Sequence, residues 1–249
     1  MSTRRADRAL VERGLVASRT LAQRLIEDGH VYRRDGLSRT QVTRASDPVP
    51  PDASLEIEHA PLCDYVSRGG IKLAHALDRA GLDVRGWRCL DVGQSTGGFT
   101  DCLLQRGAAH VTGIDVGHGQ LAARLRTDPR VTALEGINAR NLVDQVVPGP
   151  FDLIVADLSF ISLTQVLARW PARLAPDGRV LALVKPQFEV GRSALGKGGI
   201  VRDPTCYAAV EARIRTAAHA AGLTVIDWFD SPITGGDGNR EFFLHARCA

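Results

Sequence analysis

The sequence predicts an α/β protein in which a mostly parallel, seven-stranded sheet is covered by helices and preceded by a small α+β domain. Seven short apolar runs follow Trp87, and helical segments separate most of them, which is typical of a parallel sheet with helices on both faces. Residues 231–239 separate the last two runs and are too few for a helical crossover, so the last strand should run antiparallel. Residues 1–45 carry ten arginines against five acidic residues, whereas the remainder is close to neutral, which marks a separate basic module.

The basic module is predicted to span residues 1–60. Apolar residues recur at helical spacing over residues 4–13, and Ser18 is placed to cap a second helix that ends at Gly29. The segments HVYRRDG and SLEIEH predict two strands, with a Pro- and Asp-rich linker at 47–51 between them. The charge pattern is typical of a polyanion binder, although a solvated charged surface would produce it as well.

The larger part of the chain is predicted to hold a linker and leading helix at 61–86 and the sheet domain at 87–249. Further helices are expected at 97–106, 119–126, 162–174 and 205–221. The predicted strands are RCLDVG, HVTGIDV, RVTALEG, FDLIVADL, GRVLALVKP, LTVIDWF and REFFLHA.

A cofactor pocket is predicted where the first of these strands runs into the turn LDVGQSTGGFTD. Its glycines allow close approach of a ligand to the backbone, and Asp115, 22 residues beyond Gly93, is placed to accept hydrogen bonds from ribose hydroxyls. NAD and S-adenosylmethionine both fit such a pocket. The run lacks GxGxxG, and Asp91 would repel a pyrophosphate but suit an ammonium or sulfonium, which favours S-adenosylmethionine and leaves a dehydrogenase as a weaker alternative. The candidate contacts are Asp91, Gly93, Ser95, Thr96, Gly97, Gly98, Phe99, Asp115, Asn138 and Asp157.

A cluster of charged residues is predicted beside this pocket. Only three of the 31 basic residues are lysines, and two of them, Lys72 and Lys185, fall at apolar element boundaries. Asp157 and Lys185 end neighbouring strands, and Glu241 begins the antiparallel one, so these side chains should meet at the carboxyl edge where ligands bind. Lysine, unlike arginine, can lose its proton, which suits a transfer site. A pair of buried salt bridges is the alternative interpretation.

Two sets of motifs resemble known families. The segment RGLVASRTLAQRLIEDGHV resembles the alpha-L RNA-binding fold of ribosomal protein S-four, and this implies that the small domain binds folded RNA. The motifs VSRGGIKL, DVGQSTGGFTD, ADLSF, LVKPQFEVGR and GNREFF resemble the TlyA family, which is called both hemolysin-like and ribosomal RNA methyltransferase. Gln94 departs from that pattern, because relatives often have a small residue there.

The TlyA resemblance implies a class I (Rossmann-like) methyltransferase fold with an FtsJ-like catalytic domain. It implies S-adenosylmethionine-dependent transfer to the ribose 2′-hydroxyl of cytidine in ribosomal RNA by a tetrad that falls on Lys72, Asp157, Lys185 and Glu241. The antiparallel last strand is typical of the same fold. The residues expected to face RNA are Arg4, Arg13, Ser18, Arg19, Gln23, Arg24, Arg68 and Lys197. For Lys197, a solvated loop position is an equal alternative.

Composition narrows the function classes. The chain has no run of eighteen apolar residues and no apolar stretch near its N-terminus, so we expect neither a membrane span nor a secretory signal. Its five cysteines are scattered without a CxxC pair, which favours reduced thiols in the cytoplasm and no metal site. A membrane-active cytolysin and a nonenzymatic RNA-binding ribosome assembly factor are the alternatives to an enzyme.

Overall fold

The structure, a computed structural model, describes residues 3–16, 18–36, 38–58, 64–142 and 146–248. The chain divides into two compact units, Met1–Asp64 and Tyr65–Ala249, each with its own hydrophobic core. One predicted free thiol, Cys63, lies outside the described residues.

The small unit packs two helices against short strands. Helix α1 (Ala6–Glu12) and helix α2 (Arg19–Glu27) bury residues such as Leu10 and Leu25, and the Ser18 hydroxyl accepts a hydrogen bond from the Leu21 amide at 3.2 Å as the predicted cap. Strands β2 (Val31–Asp35), β3 (Ser38–Gln41) and β5 (Ser54–Ile57) form one antiparallel sheet in the order β3-β2-β5.

Two short strands depart from the prediction for this unit. Strand β1 (Arg4–Arg5) pairs with β4 (Pro48–Val49), so the first helix begins at Ala6, and the segment predicted to be a linker contributes a strand. Two-residue strands carry too little periodicity to be recognised in a sequence.

The large unit contains the predicted seven-stranded sheet. Its strands are β6 (Arg88–Val92), β7 (His110–Asp115), β8 (Val131–Glu135), β9 (Phe151–Ala156), β10 (Leu174–Val184), β11 (Leu223–Asp230) and β12 (Phe242–Cys248). Their order is β11-β12-β10-β9-β6-β7-β8. Strand β12 is antiparallel to both of its neighbours, and the pairs from β10 to β8 are parallel, which confirms the predicted sheet.

Helices cover both faces of this sheet: α3 (Gly69–Ala80), α4 (Gly98–Gln105), α5 (Ala123–Arg126) and α6 (Cys206–Ala220). Successive strand residues alternate between two apolar clusters. Leu90 and Ile154 pack on one face with Trp170, whereas Cys89 and Leu153 pack on the other. A sheet buried on both faces holds the ends of its strands in fixed positions.

The predicted helix at 162–174 is wrong. The structure has three single 3₁₀ turns there, Leu163–Gln165, Leu167–Arg169 and Pro171–Arg173. Proline has no amide hydrogen to donate, so Pro171 interrupts any α-helical ladder through this segment. The helix predicted at 119–126 is shortened to α5.

No helix within the described ranges is long and apolar enough to cross a membrane.

Candidate active site

The turn after β6 brings three strand ends together. Gly93 has a φ of +88°, and a Cβ atom there would lie 2.5 Å from the carbonyl oxygen of Asp157, so only glycine fits without a shift. The amide of Ser95 donates to Asp115 Oδ2 at 2.8 Å, which ties the turn to the end of β7. The turn therefore lies between the ends of β7 and β9.

Two adjoining cavities open at this edge of the sheet. The first, of about 160 Å³, is lined by residues that include Thr96, Phe99 and Lys185. The second, of about 340 Å³, is lined on its apolar side by Ile114, Ile137 and Leu158. The two share the walls formed by Gly93, Ser95, Asp157 and Ser159.

Most of the residues predicted to bind the cofactor line these cavities: Gly93, Ser95, Thr96, Gly98, Phe99, Asp115 and Asp157. Gly97 lies directly before α4 with a φ of +93°. The exposed Asn138 caps a 3₁₀ turn, where its side-chain oxygen accepts from the Arg140 amide at 3.0 Å.

Asp91 lies beneath the turn and lines neither cavity. Its Oδ2 accepts hydrogen bonds from the Thr100 amide at 3.0 Å and the Thr100 hydroxyl at 2.7 Å. Its Oδ1 is buried without a hydrogen-bond partner among the described residues. Burial raises the pKa of Asp91 to about 7, although the Thr100 hydrogen bonds act in the opposite direction.

Gln94 fits under the turn because the neighbouring strand provides space. Its side chain donates to the Thr100 hydroxyl at 2.9 Å, and a Cβ on Gly113 would lie 2.0 Å from the Gln94 carboxamide carbon. Gly113 thus makes room for the residue that departs from the family pattern.

The residues of the first two cavities fit S-adenosylmethionine by the chemistry of their donors and acceptors. Asp115 lies beside an apolar wall, as an adenosine requires, and each of its oxygens already accepts one backbone amide while keeping a second lone pair. The Asp157 carboxylate lines both cavities and suits a cationic ligand.

The four charged residues predicted to meet form two ion pairs. Lys185 Nζ lies 2.6 Å from Asp157 Oδ1 and donates to the Ser159 hydroxyl at 2.9 Å. Lys72 Nζ lies 2.5 Å from Glu241 Oε2. Asp157 follows β9, Lys185 follows β10 and Glu241 precedes β12, so the sheet edge brings three of them together, and α3 supplies Lys72.

These two pairs belong to one electrostatic cluster. Burial raises the pKa of Glu241, and the nearby charge of Lys72 opposes that shift, with a smaller contribution from Lys185; Asp157 adds to the rise. Lys185 and Asp157 line the first cavity, whereas Lys72 and Glu241 are buried. One pair therefore faces a cavity, and the other is a buried pair whose charges interact with it.

The residues predicted to face RNA fall into two groups. Arg19 and Gln23 both donate to the buried carboxylate of Asp7, at 2.9 and 3.0 Å, and Arg13 donates to the carbonyl oxygen of Ala53 at 2.5 Å. Three of the remaining side chains make other contacts within the protein. Arg4 pairs with Glu12 at 3.6 Å, Ser18 caps α2, and Arg68 donates to the Thr234 carbonyl oxygen at 2.7 Å. Arg24 is half-buried, and Lys197 is exposed.

Several residues beside the cluster have little signal in the sequence. Phe160 is 88 % exposed with a φ of +63°, in the ADLSF motif directly after β9. Ser159 contacts Lys185, and Gln187 follows two residues after it. The one sequence feature that could have pointed to these residues is the aromatic Phe160 close behind Asp157, which follows β9. Within the described part of the chain, no three His, Cys, Asp or Glu side chains are grouped so that they could hold a metal ion.

The sheet with its antiparallel last strand and the cavity at its carboxyl edge define a class I methyltransferase fold. Residues 65–248 match the model of the FtsJ-like methyltransferase family. A relative from Mycobacterium tuberculosis, named 16S/23S rRNA (cytidine-2′-O)-methyltransferase TlyA, is 46 % identical over 98 % of this chain and 89 % of its own length. Hemolysin A of Brachyspira hyodysenteriae is 35 % identical over 97 % of this chain and 98 % of its own length.

The solved structure of a hemolysin-like protein from Streptococcus thermophilus superposes with a TM-score of 0.76 at 36 % identity. The superposition covers 100 % of this chain and 90 % of the S. thermophilus chain. The chain belongs to the TlyA family of FtsJ-like methyltransferases.

Proposed function

We propose that this protein transfers a methyl group from S-adenosylmethionine to the ribose 2′-hydroxyl of a cytidine in ribosomal RNA. The observation that carries the proposal is the Lys185–Asp157 pair, which lines the cavity next to the glycine-rich turn. The printed name of the M. tuberculosis relative describes the same reaction. A ribosomal RNA substrate implies a cytoplasmic location.

The cofactor supplies a methyl group that its positively charged sulfur already activates. A ribose hydroxyl is a weak nucleophile, so the protein has to hold the oxygen in line with the methyl carbon and stabilise or accept the hydroxyl proton. Transfer would join the 2′-oxygen to the methyl carbon and break the carbon–sulfur bond, leaving the electron pair on sulfur. The hydroxyl proton would pass to an uncharged amine of Lys185 or to water.

We assign Lys185 to the contact with the 2′-oxygen. Asp157 and Ser159 orient its ammonium group, because both lie within hydrogen-bond distance of Nζ. The buried pair of Lys72 and Glu241 acts behind it, on the charge of the site.

We propose that residues 1–60 deliver the enzyme to folded RNA, with residues 61–86 as linker and leading helix and 87–249 as the catalytic domain. The exposed arginines of α1 and α2 would contact phosphates, which position a protein on RNA without reading its sequence. Arg5 and Arg19 share the Asp7 carboxylate, so two positive charges are held together next to one negative charge.

The direct test compares two substitutions that both conserve charge. Lys185→Arg should lower methyl transfer to ribosomal RNA by about 100-fold or more, because a guanidinium has a different shape and does not give up a proton. Lys197→Arg, at the exposed third lysine, should retain activity. The readout is 2′-O-methylcytidine measured by mass spectrometry of nucleosides from treated RNA. Substantial transfer by Lys185→Arg would refute the assignment of Lys185, and no 2′-O-methylcytidine with the wild-type enzyme would refute the proposed function.

A further inference from the structure

A third cavity, of about 640 Å³, borders the second one through Phe160. Three of the segments that line it are close in sequence to a member of the charged cluster, and a further segment contributes Leu195, Gly198 and Gly199. Phe160 and Ile161 come soon after Asp157, Gln187 and Phe188 come soon after Lys185, and Asp237 comes shortly before Glu241. Its volume lies in the range of small-molecule sites, so it is large enough for a nucleoside.

One wall of this cavity carries a buried amide with an unfilled acceptor. Gln187 is 8 % exposed, and its Nε2 donates to Asp237 Oδ2 at 3.3 Å. Its Oε1 is buried and has no hydrogen-bond partner within the part of the chain that the structure describes. A buried acceptor without a donor destabilises the protein, and a ligand that supplies a donor would remove that cost.

The orientation of this amide is determined by its neighbour. A carboxylate can only accept hydrogen bonds, so Asp237 requires the NH₂ end of Gln187 to face it and leaves the oxygen end for another group. Asn239 fixes Asp237 in turn, through Nδ2 at 2.9 Å from Oδ2. Burial acts to raise the pKa of Asp237, but hydrogen bonds from Asn239 and Gln187 outweigh it and lower the pKa, which keeps the group a carboxylate.

We propose that the third cavity takes the base of the acceptor nucleotide and that Gln187 selects cytosine over uracil by accepting a hydrogen bond from the exocyclic amine. Cytosine carries an NH₂ donor at the position where uracil carries a carbonyl oxygen. With uracil, two oxygens would face each other and the Gln187 acceptor would remain unfilled. The inference rests on the proposed ribose methylation and adds to it the residue that chooses the base.

The test uses the full-length enzyme and RNA transcripts. The site that the wild-type protein methylates is first mapped on ribosomal RNA, and transcripts with cytidine or uridine at that site are then compared by kcat/KM. We expect the wild-type enzyme to prefer cytidine by about 10- to 100-fold, the range of one good hydrogen-bonded base contact. Gln187→Leu and the more flexible Gln187→Met, which both remove the acceptor, should bring the two substrates to within about 3-fold.

Gln165→Leu is the matched control, because Gln165 lines the same cavity but is exposed, and it should keep the wild-type preference. Thermal unfolding and calorimetric S-adenosylmethionine binding identify the variants that are folded. A folded Gln187 variant that keeps the wild-type preference for cytidine overturns the inference. An absence of methylation by the wild-type enzyme on both transcripts would instead contradict the proposed function.

Discussion

The buried carboxyl group of Asp91 should make the stability of the large unit depend on pH. Its pKa is raised from the ordinary value of 3.8 to about 7 because the group is fully buried under the glycine-rich turn. The folded protein therefore holds this proton up to about pH 7, whereas the unfolded chain releases it near 3.8. Below 3.8 the stabilisation is complete, and it is lost as the pH rises through 7.

The size of the effect follows from this difference. Each pKa unit corresponds to about 1.4 kcal/mol, so the full contribution is about 4 kcal/mol. The part of this free energy that changes between pH 5 and pH 8 is about 2.5 kcal/mol. Asp91→Asn keeps the shape of the side chain but removes the titration, so its free energy of unfolding should lack this part of the pH dependence.

Urea denaturation at pH 5, 6, 7 and 8, followed by tryptophan fluorescence, measures the effect. All three tryptophans, Trp87, Trp170 and Trp228, belong to the large unit, so the signal reports on the unit that contains Asp91. The other titratable groups are the same in Asp91→Asn and in the wild type, so their effects cancel when the two free energies of unfolding are subtracted. Asp177→Asn, at an exposed carboxylate of the same unit, is the control and should follow the wild type. If Asp91→Asn and the wild type lose the same stability between pH 5 and 8, the reasoning is refuted.

Two further predictions concern the turn and the buried ion pair. Gly93→Ala should lower the free energy of unfolding by roughly 1–3 kcal/mol and weaken calorimetric S-adenosylmethionine binding, because its Cβ would approach the Asp157 carbonyl oxygen. Gly86→Ala is the control, with a φ of +76° and no atom within 4 Å of its Cβ, and equal losses in both variants would exclude the close approach as the cause. Lys72→Met should destabilise the protein by roughly 3–5 kcal/mol in urea denaturation, because Glu241 would be left buried without its partner. Adding Glu241→Gln should restore much of that stability, and a Lys72→Met protein as stable as the wild type would contradict the argument.

The sequence was sufficient to predict the sheet and the meeting of the four charged residues. Buried parallel strands appear as apolar runs, and the carboxyl edge follows from strand direction, so Asp157 and Lys185 could be placed side by side without coordinates. The family resemblance pointed to the same residues, and their catalytic roles stay predictions.

Other features could not be predicted because they depend on side-chain packing. Asp91 was expected to face the cofactor, yet the turn covers it and Thr100 takes its hydrogen bonds. The sequence does not indicate that Gln187 has a buried acceptor without a partner, because most glutamines in proteins lie on the surface. Asp7 is one of two acidic residues in helix α1, and only the structure shows that Arg19 and Gln23 converge on it.

The shared carboxylate of Asp7 makes the basic side chains of the small unit interdependent. Arg5 and Arg19 come from different parts of the chain but have one anchor, which is fully buried. Removing either arginine leaves the carboxylate to the other arginine and to Gln23, so the effects of the two losses on the stability of the small unit cannot simply add. A fully buried carboxylate therefore governs how the small unit tolerates substitution of its surface arginines.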